Sequence, residues 1–325
     1  MSKILKGKSF VISDNILAAG RGSMIFGDML ENFESPIQAT VIDRLEAAGA
    51  TLSGLVRPGD VVDMVAKGKA SFGVGADHDG TIRKMASQNG LFGYKPTYGM
   101  VSRYGIVAVA SSMDGISLVS NSAEQMETLV DIISGPDGQD SMLINKGLDS
   151  PVKPANDGRK VGKVKEFMTD DRDGKVSLGM AKYIMPMYHA IMTAEVSSNF
   201  MQYDSIRYGK RPSSAKTLDD IYAKSRGEGF DKKTKLNIMM GFHVSSPAMF
   251  ETTFVQAAKA RTMLIDEFNK LFEEYDFLVG SADSEIMAIA AALAGLPAVT
   301  MPNGKQVIGP MKSDKRLLDF AKGTK

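Results

Sequence analysis

The sequence predicts an α/β layered fold, because short apolar segments alternate with amphipathic ones along the whole chain. With 325 residues, 43% of them hydrophobic, it can bury a large core in one big domain or two smaller ones. Several segments also carry their own start and stop signals, and these fix the element order.

Ser9–Ile12 is a short buried-strand candidate. Ser35-Pro36 then signals a helix start, with proline where its missing N–H costs nothing. Ile37, Val41, Leu45 and Ala48 share one face of that helix, and Gly49 suits a left-handed stop. Ala50–Leu55 returns as a strand. A second helix begins at Ser122, where Ser122 and Gln125 have capping-box spacing, and Met126, Leu129, Val130 and Ile133 form its stripe. Gly135-Pro136-Asp137-Gly138 ends it. The longest helix candidate opens at Ser246-Pro247 and runs to about Tyr275, with Phe250, Phe254, Ile265, Phe268 and Phe272 as core. Phe277–Val279 and Ala298–Met301 read as further strands. The simplest organisation is one domain over 1–325, with a long loop or sub-domain boundary near 149–159, where two prolines, an asparagine and a glycine fall together.

Charge excludes several partner classes. Lysine plus arginine (39) nearly cancel aspartate plus glutamate (38), so no global field recruits nucleic acid or an anionic membrane. The absence of cysteine removes disulfides, thiolate nucleophiles and cysteine metal sites, which fits a reducing compartment. Met1–Phe10 lacks the apolar run of a signal peptide, and Ile286–Leu296 is too short to span a bilayer. The expectation is a soluble, cytosolic protein with no cofactor.

Few residues stand out for chemistry. The histidines His78, His189 and His243 have no metal-ligand spacing with one another. Asp77, His78 and Asp79 are adjacent, so in an extended segment they point to opposite faces and converge poorly on an ion. Gly73-x-Gly75-x-x-x-x-Gly80 fits neither a dinucleotide loop nor a P-loop, and no G-x-S-x-G elbow occurs.

The order of several segments is more specific than any one of them. Val11-Ile12-Ser13-Asp14-Asn15-Ile16 is followed by Ala39–Ala50, then by Gly93-Tyr94-Lys95-Pro96-Thr97-Tyr98-Gly99 and Val101–Ile106. Ala110-Ser111-Ser112-Met113-Asp114 comes next, then Glu195–Phe200, Tyr203–Gly209 and Ala294-Gly295-Leu296-Pro297-Ala298. From about Ser9 to Lys312 this collinear set resembles the amidase signature family, and within it the A subunits of tRNA-dependent glutamyl/aspartyl amidotransferases. The resemblance implies a mixed, twisted β-sheet covered by helices, in trimmed form. It also implies a Ser–cis-Ser–Lys site, in which a neutral lysine deprotonates the bridging serine and backbone N–H groups receive the oxyanion.

At the matching positions this sequence departs from the pattern. Ser13 stands where the family has its lysine, and a hydroxyl has no accessible deprotonated form near neutral pH. The loop with the bridging serine should precede Val61, yet Leu55–Asp60 runs straight into it. The nucleophile segment reads Asp77-His78-Asp79-Gly80-Thr81-Ile82-Arg83, with Thr81 in the serine position and Asp79 in place of a glycine. Gln202 occupies the place of the arginine that holds a glutamine carboxylate, and the segment after Val279 is shortened.

From these departures follows the expectation of a non-catalytic protein, its fold reused as a structural or binding component of a larger assembly. Trimmed copies of this kind suit a viral genome, including a virion component. Helices that precede the first strand in the family are missing, which predicts uncovered apolar surface and docking on other subunits or self-association. The alternative is an amidase or an amidotransferase A-subunit-like enzyme with altered chemistry, using Thr81 with His78 or Asp77 as base. A sensor that keeps the cleft to bind a small amide is a third reading.

Overall fold

The computed structural model describes residues 3–22, 27–31, 33–144, 160–169 and 174–323. Within them a nine-stranded mixed sheet runs in the order β2-β1-β3-β5-β4-β8-β9-β7-β6. Its strands are β1 (Ser9–Ser13), β2 (Thr51–Val56), β3 (Phe72–Asp77), β4 (Phe92–Lys95), β5 (Gly115–Ser120), β6 (Val161–Lys163), β7 (Phe277–Ser281), β8 (Ala298–Thr300) and β9 (Lys305–Ile308). The mixed α/β architecture is therefore as the sequence predicts.

β1 lies parallel to both β2 and β3, while β5 runs antiparallel between β3 and β4. The carboxyl ends of β1, β3 and β4 thus meet at one edge and present Ser13, Asp77 and Lys95 there. Strands buried on both faces need continuous apolar runs, and Phe10-Val11-Ile12 supplies one. Phe10 and Ile12 pack with helices α1 (Thr40–Ala47), α4 (Ala123–Ile133) and α10 (Asp314–Lys322). Val11 packs instead with α2 (Pro58–Ala66) and α3 (Thr81–Gln88). The largest core joins α5 (Ala181–Asn199), α7 (Lys232–Val244), α8 (Val255–Glu274) and α9 (Glu285–Leu293).

Several predicted boundaries shift for local reasons. The helix expected from Pro36 begins only at Thr40, because the Ala39 N–H bonds the Leu17 carbonyl at 2.9 Å and ties the preceding chain to a loop. Gly49 does take the left-handed conformation, at φ +97°. The capping box at Ser122 is half made: Ser122 Oγ accepts from Gln125 N at 3.2 Å, while the Gln125 side-chain carbonyl turns to the Ser120 hydroxyl. The single long helix expected from Ser246 is a π-helical turn over Phe250–Phe254 followed by α8. Of its predicted core residues, Phe268 and Phe272 are buried, Phe254 and Ile265 half-buried, and Phe250 exposed. As expected from the missing loop, β2 passes through Arg57 directly into α2 at Pro58. The boundary near 149–159 lies outside the described residues.

Ile4 is exposed and borders an open cavity of about 730 Å³ with Arg44, Ile132 and Pro136, on the α1–α4 flank. No helix among the described residues is long and apolar enough to cross a membrane.

Candidate active site

Ser13 ends β1 fully buried, and its hydroxyl is engaged on both sides. It donates to Asn15 Oδ1 at 2.5 Å and accepts from the Ala76 N–H at 3.1 Å. Ser13 therefore links β1 to β3. The neighbouring Asp14 is pushed up to about 6 by burial, against the opposing pull of its own backbone N–H and of Arg57.

The turn from β3 to α3 is held from below. Asp77 Oδ1 accepts from the Gly80 N–H at 2.6 Å, and Oδ2 accepts from Arg83 Nε at 2.7 Å. Arg83 completes its bonds with Gln306 Oε1 at 3.0 Å and the Ala288 carbonyl at 3.2 Å, and neither side chain of the pair is exposed. Burial alone would raise the Asp77 pKa, but the Arg83 charge and hydrogen bond, with the Gly80 N–H, outweigh it and leave it lowered. A carboxylate so held is a fastener and a poor proton acceptor, which removes Asp77 as the base. Gly80 sits at φ +84° with Ala288 and Arg83 against it, so only glycine fits that corner.

Above this fastener the turn presents its other side chains. Asp79 Oδ1 accepts from the Thr81 N–H at 2.9 Å, and Thr81, exposed, is the first residue of α3. His78 lies with Nδ1 3.7 Å from Asp114 Oδ1. Asp114 fixes its own loop by accepting from the Val109 and Ala110 N–H groups at 2.8 and 2.9 Å. Burial raises its pKa, and the His78 charge opposes that most strongly. Among the described residues no group of His, Asp or Glu is arranged to hold a metal ion. His189 and His243 are both exposed.

Asp114 also lines an open cavity of about 260 Å³ with Arg103, Tyr104, Ser111 and Asp140. Arg103 is fully engaged there, by Asp140 through Nε and Nη2 and by Tyr98 and the Ser111 carbonyl through Nη1. Gln202 donates back to the Asn199 carbonyl at 3.0 Å and makes no hydrogen bond to the turn.

Sequence reasoning named Asp77, His78, Asp79 and Thr81, but missed three neighbours. Asp114 was visible only as the end of the Ser-Ser-Met-Asp segment. Tyr188 on α5 is buried, its hydroxyl has no hydrogen-bond partner among the described residues, and burial together with the carboxylates of Asp79, Asp77 and Asp114 raises its pKa. Lys95 is the third: 3% exposed, its ammonium donates only to the Pro96 carbonyl at 3.2 Å, and its pKa falls to about 8. The causes are burial first and then the Arg83 charge, with Asp77 and Asp314 opposing.

The lowered Lys95 pKa has a definite consequence for stability. Its folded pKa lies below the ordinary 10.5, so between about 8 and 10.5 the unfolded chain binds the extra proton. Stability contributed at this position therefore rises with pH across that window, by about 3 kcal/mol in full. Lys95→Met is expected to flatten the rise in urea unfolding between pH 8 and 10. An identical slope in both proteins would show that another group titrates there.

Comparison with known proteins agrees with this architecture. The family model described as Amidase matches residues 63–182 and 174–285. The A subunit of the glutamyl-tRNA(Gln) amidotransferase of Lactobacillus delbrueckii subsp. bulgaricus is 32% identical over 92% of this chain and 78% of its own length. The corresponding protein of Symbiobacterium thermophilum is 31% identical over 98% of this chain and 82% of its own length. Among solved structures, the Thermotoga maritima protein of the same name superposes with a TM-score of 0.72 at 27% identity, over 96% of this chain and 81% of the other.

These relatives overturn the expectation of a non-catalytic structural or virion component. Each is part of an enzyme by name, and none is structural or viral. The expectation had counted replaced positions as losses. It had not counted the Asp77–Arg83 fastener, which holds the turn that starts α3 at Thr81, nor the His78 Nδ1 that lies 3.7 Å from Asp114. On the strength of the family match, the identity over nearly the whole chain and the shared fold, this chain belongs to the amidase signature family.

Proposed function

We propose that the chain is an amide hydrolase, similar to amidotransferase A subunits but with altered chemistry, in which Thr81 is the nucleophile, His78 the general base and Asp114 the carboxylate that orients His78. The observation that carries this reading is the placement of an exposed threonine hydroxyl on the first residue of α3, three residues after a histidine whose Nδ1 faces Asp114 at 3.7 Å. With Nδ1 turned to Asp114, Nε2 is left to take the Thr81 proton as Oγ1 attacks the amide carbon. The Thr81 N–H is taken by Asp79, so the Ile82 and Arg83 N–H groups of the first turn of α3, which have no acceptor inside the helix, are the donors assigned to the developing oxyanion. The C–N bond then breaks, with the proton from His78 going to the departing nitrogen, and water releases the acid from Thr81.

Two costs accompany this arrangement. The threonine methyl restricts χ1. The His78–Asp114 gap must also close by about 1 Å to make a hydrogen bond when substrate is bound. Other protein subunits are part of the proposal, because the relatives are themselves named as subunits. A cytoplasmic setting is consistent with a sequence free of cysteine.

Ammonia release from a panel of primary amides, glutamine included, tests the reading. Turnover above the uncatalysed rate is expected, and His78→Ala is expected to lower it by about 10²–10⁴-fold. If the intact protein, alone and together with the other subunits of an amidotransferase, releases no ammonia from any of them, the proposal fails.

A further inference from the structure

We infer that this chain self-associates head to tail, the exposed face of α7 in one copy seating in the cleft between α1 and α4 of the next. The inference is independent of the reading of Thr81 and His78, since neither surface includes a residue of that turn.

The cleft is the open cavity of about 730 Å³ on the α1–α4 flank. Ile4, Ala47, Ala48, Ile132 and Pro136 give it apolar walls, and Asp43 and Asp131 add a carboxylate from each helix. Arg44, the cation among its described lining residues, is held by the Ile133, Gly135 and Pro136 carbonyls. Lys3 and Lys6 flank Ile4 in sequence but do not line the cavity. Together α1 and α4 carry Asp43, Glu46, Glu124, Glu127 and Asp131 against Arg44 alone. Ser134, also in the lining, has a buried hydroxyl with no hydrogen-bond partner among the described residues. Such a group suits a cleft completed by a docked segment.

α7 presents the opposite chemistry. Its Ile238, Gly241 and Val244 are buried, with Gly241 against Thr193 and Ser197 of α5. On its outward side Leu236, Met239, Met240 and Phe242 are exposed, Met239 to 69%. The helix contains no acidic residue, and Asp231 caps it by accepting from the Thr234 N–H at 2.7 Å. Lys232 and Lys233 are exposed at its start. An apolar stripe flanked by lysines and an apolar cleft flanked by carboxylates match in both hydrophobicity and charge. One chain cannot bring the two together by itself. Leu278, Ala298 and Ile308 pack with the α5–α9 layer, whereas Phe277, Val299 and Val307 pack with α1 and α4. The surfaces therefore lie on opposite faces of the sheet, and their contact is between copies. Because it joins two different patches, it continues into a ring or an open chain.

Sedimentation equilibrium of the full chain over a concentration series tests this. The weight-average mass is expected to rise above that of one chain, and to fall back as salt is added. Asp43→Lys with Asp131→Lys, and Lys232→Glu with Lys233→Glu, should each weaken association by at least about tenfold through like-charge repulsion. Mixing these two charge-reversed proteins is expected to restore it, because each cleft then meets a helix of opposite charge. Met239→Asp, in the middle of the stripe, should abolish association in any salt. The mass of one chain at every concentration, association unchanged by Met239→Asp, or a mixture that stays dissociated would each overturn the inference. So would a monomeric chain that binds a synthetic peptide of residues 231–245, since the occupant would then be another protein's helix.

Discussion

Asp77→Ala is expected to destabilise the protein by about 3–5 kcal/mol, the cost of leaving a buried charge without its partner. Arg83 is fully buried, and the other groups that hold it, the Gln306 and Ala288 oxygens, are neutral. Removing Asp77 leaves the guanidinium charge uncompensated and also frees the Gly80 N–H at the start of α3. With folded proteins typically stable by only about 5–15 kcal/mol, this one change consumes a large fraction of the total. The paired change Asp77→Ala with Arg83→Met is expected to recover part of the loss, because the orphaned charge goes with it. Urea unfolding of the two variants decides the matter. A single variant within about 1 kcal/mol of the unmodified protein would show that Arg83 finds water or another anion.

Much of the fold was legible because its signals are local. β1, β2, β7 and β8 appear as short apolar runs, and α4 announces itself through Ser122. Boundaries failed where a distant partner decided them. Nothing near Pro36 reveals that Leu17 will hold Ala39, and the phenylalanines after Ser246 keep a helical spacing although the π-helical turn exposes Phe250. α7 carries apolar residues on both faces, with Leu236, Met239 and Phe242 exposed, so periodicity gave it no signature. The site divides the same way. His78, Asp79 and Thr81 fall within four residues and were found together, whereas Asp114 approaches His78 from another loop. The reading of lost catalysis rested on Ser13, the missing loop, Thr81 and Gln202 departing from the family pattern together. Tertiary placement adds a hydrogen-bonded corner under Thr81 and a carboxylate 3.7 Å from His78.

Thr81→Ala is expected to lower amide turnover by about 10³-fold or more, because removing the nucleophile of a site that acts as a unit forfeits most of the rate. The stability cost should be small, since Thr81 is exposed and its backbone N–H keeps its bond to Asp79. Activity and folding therefore separate in this variant, which they do not in Asp77→Ala. Thr81→Ser is the informative companion. Serine keeps the hydroxyl and loses the methyl that stiffens χ1 and crowds the approach to a carbonyl, so turnover should be retained or raised. Combining His78→Ala with Thr81→Ala should cost no more than Thr81→Ala alone, the non-additivity expected of two groups serving one step. Ammonia release measured across the four proteins distinguishes the outcomes. Turnover that survives Thr81→Ala would place the nucleophile elsewhere, and an additive double variant would mean that His78 and Thr81 act in separate steps.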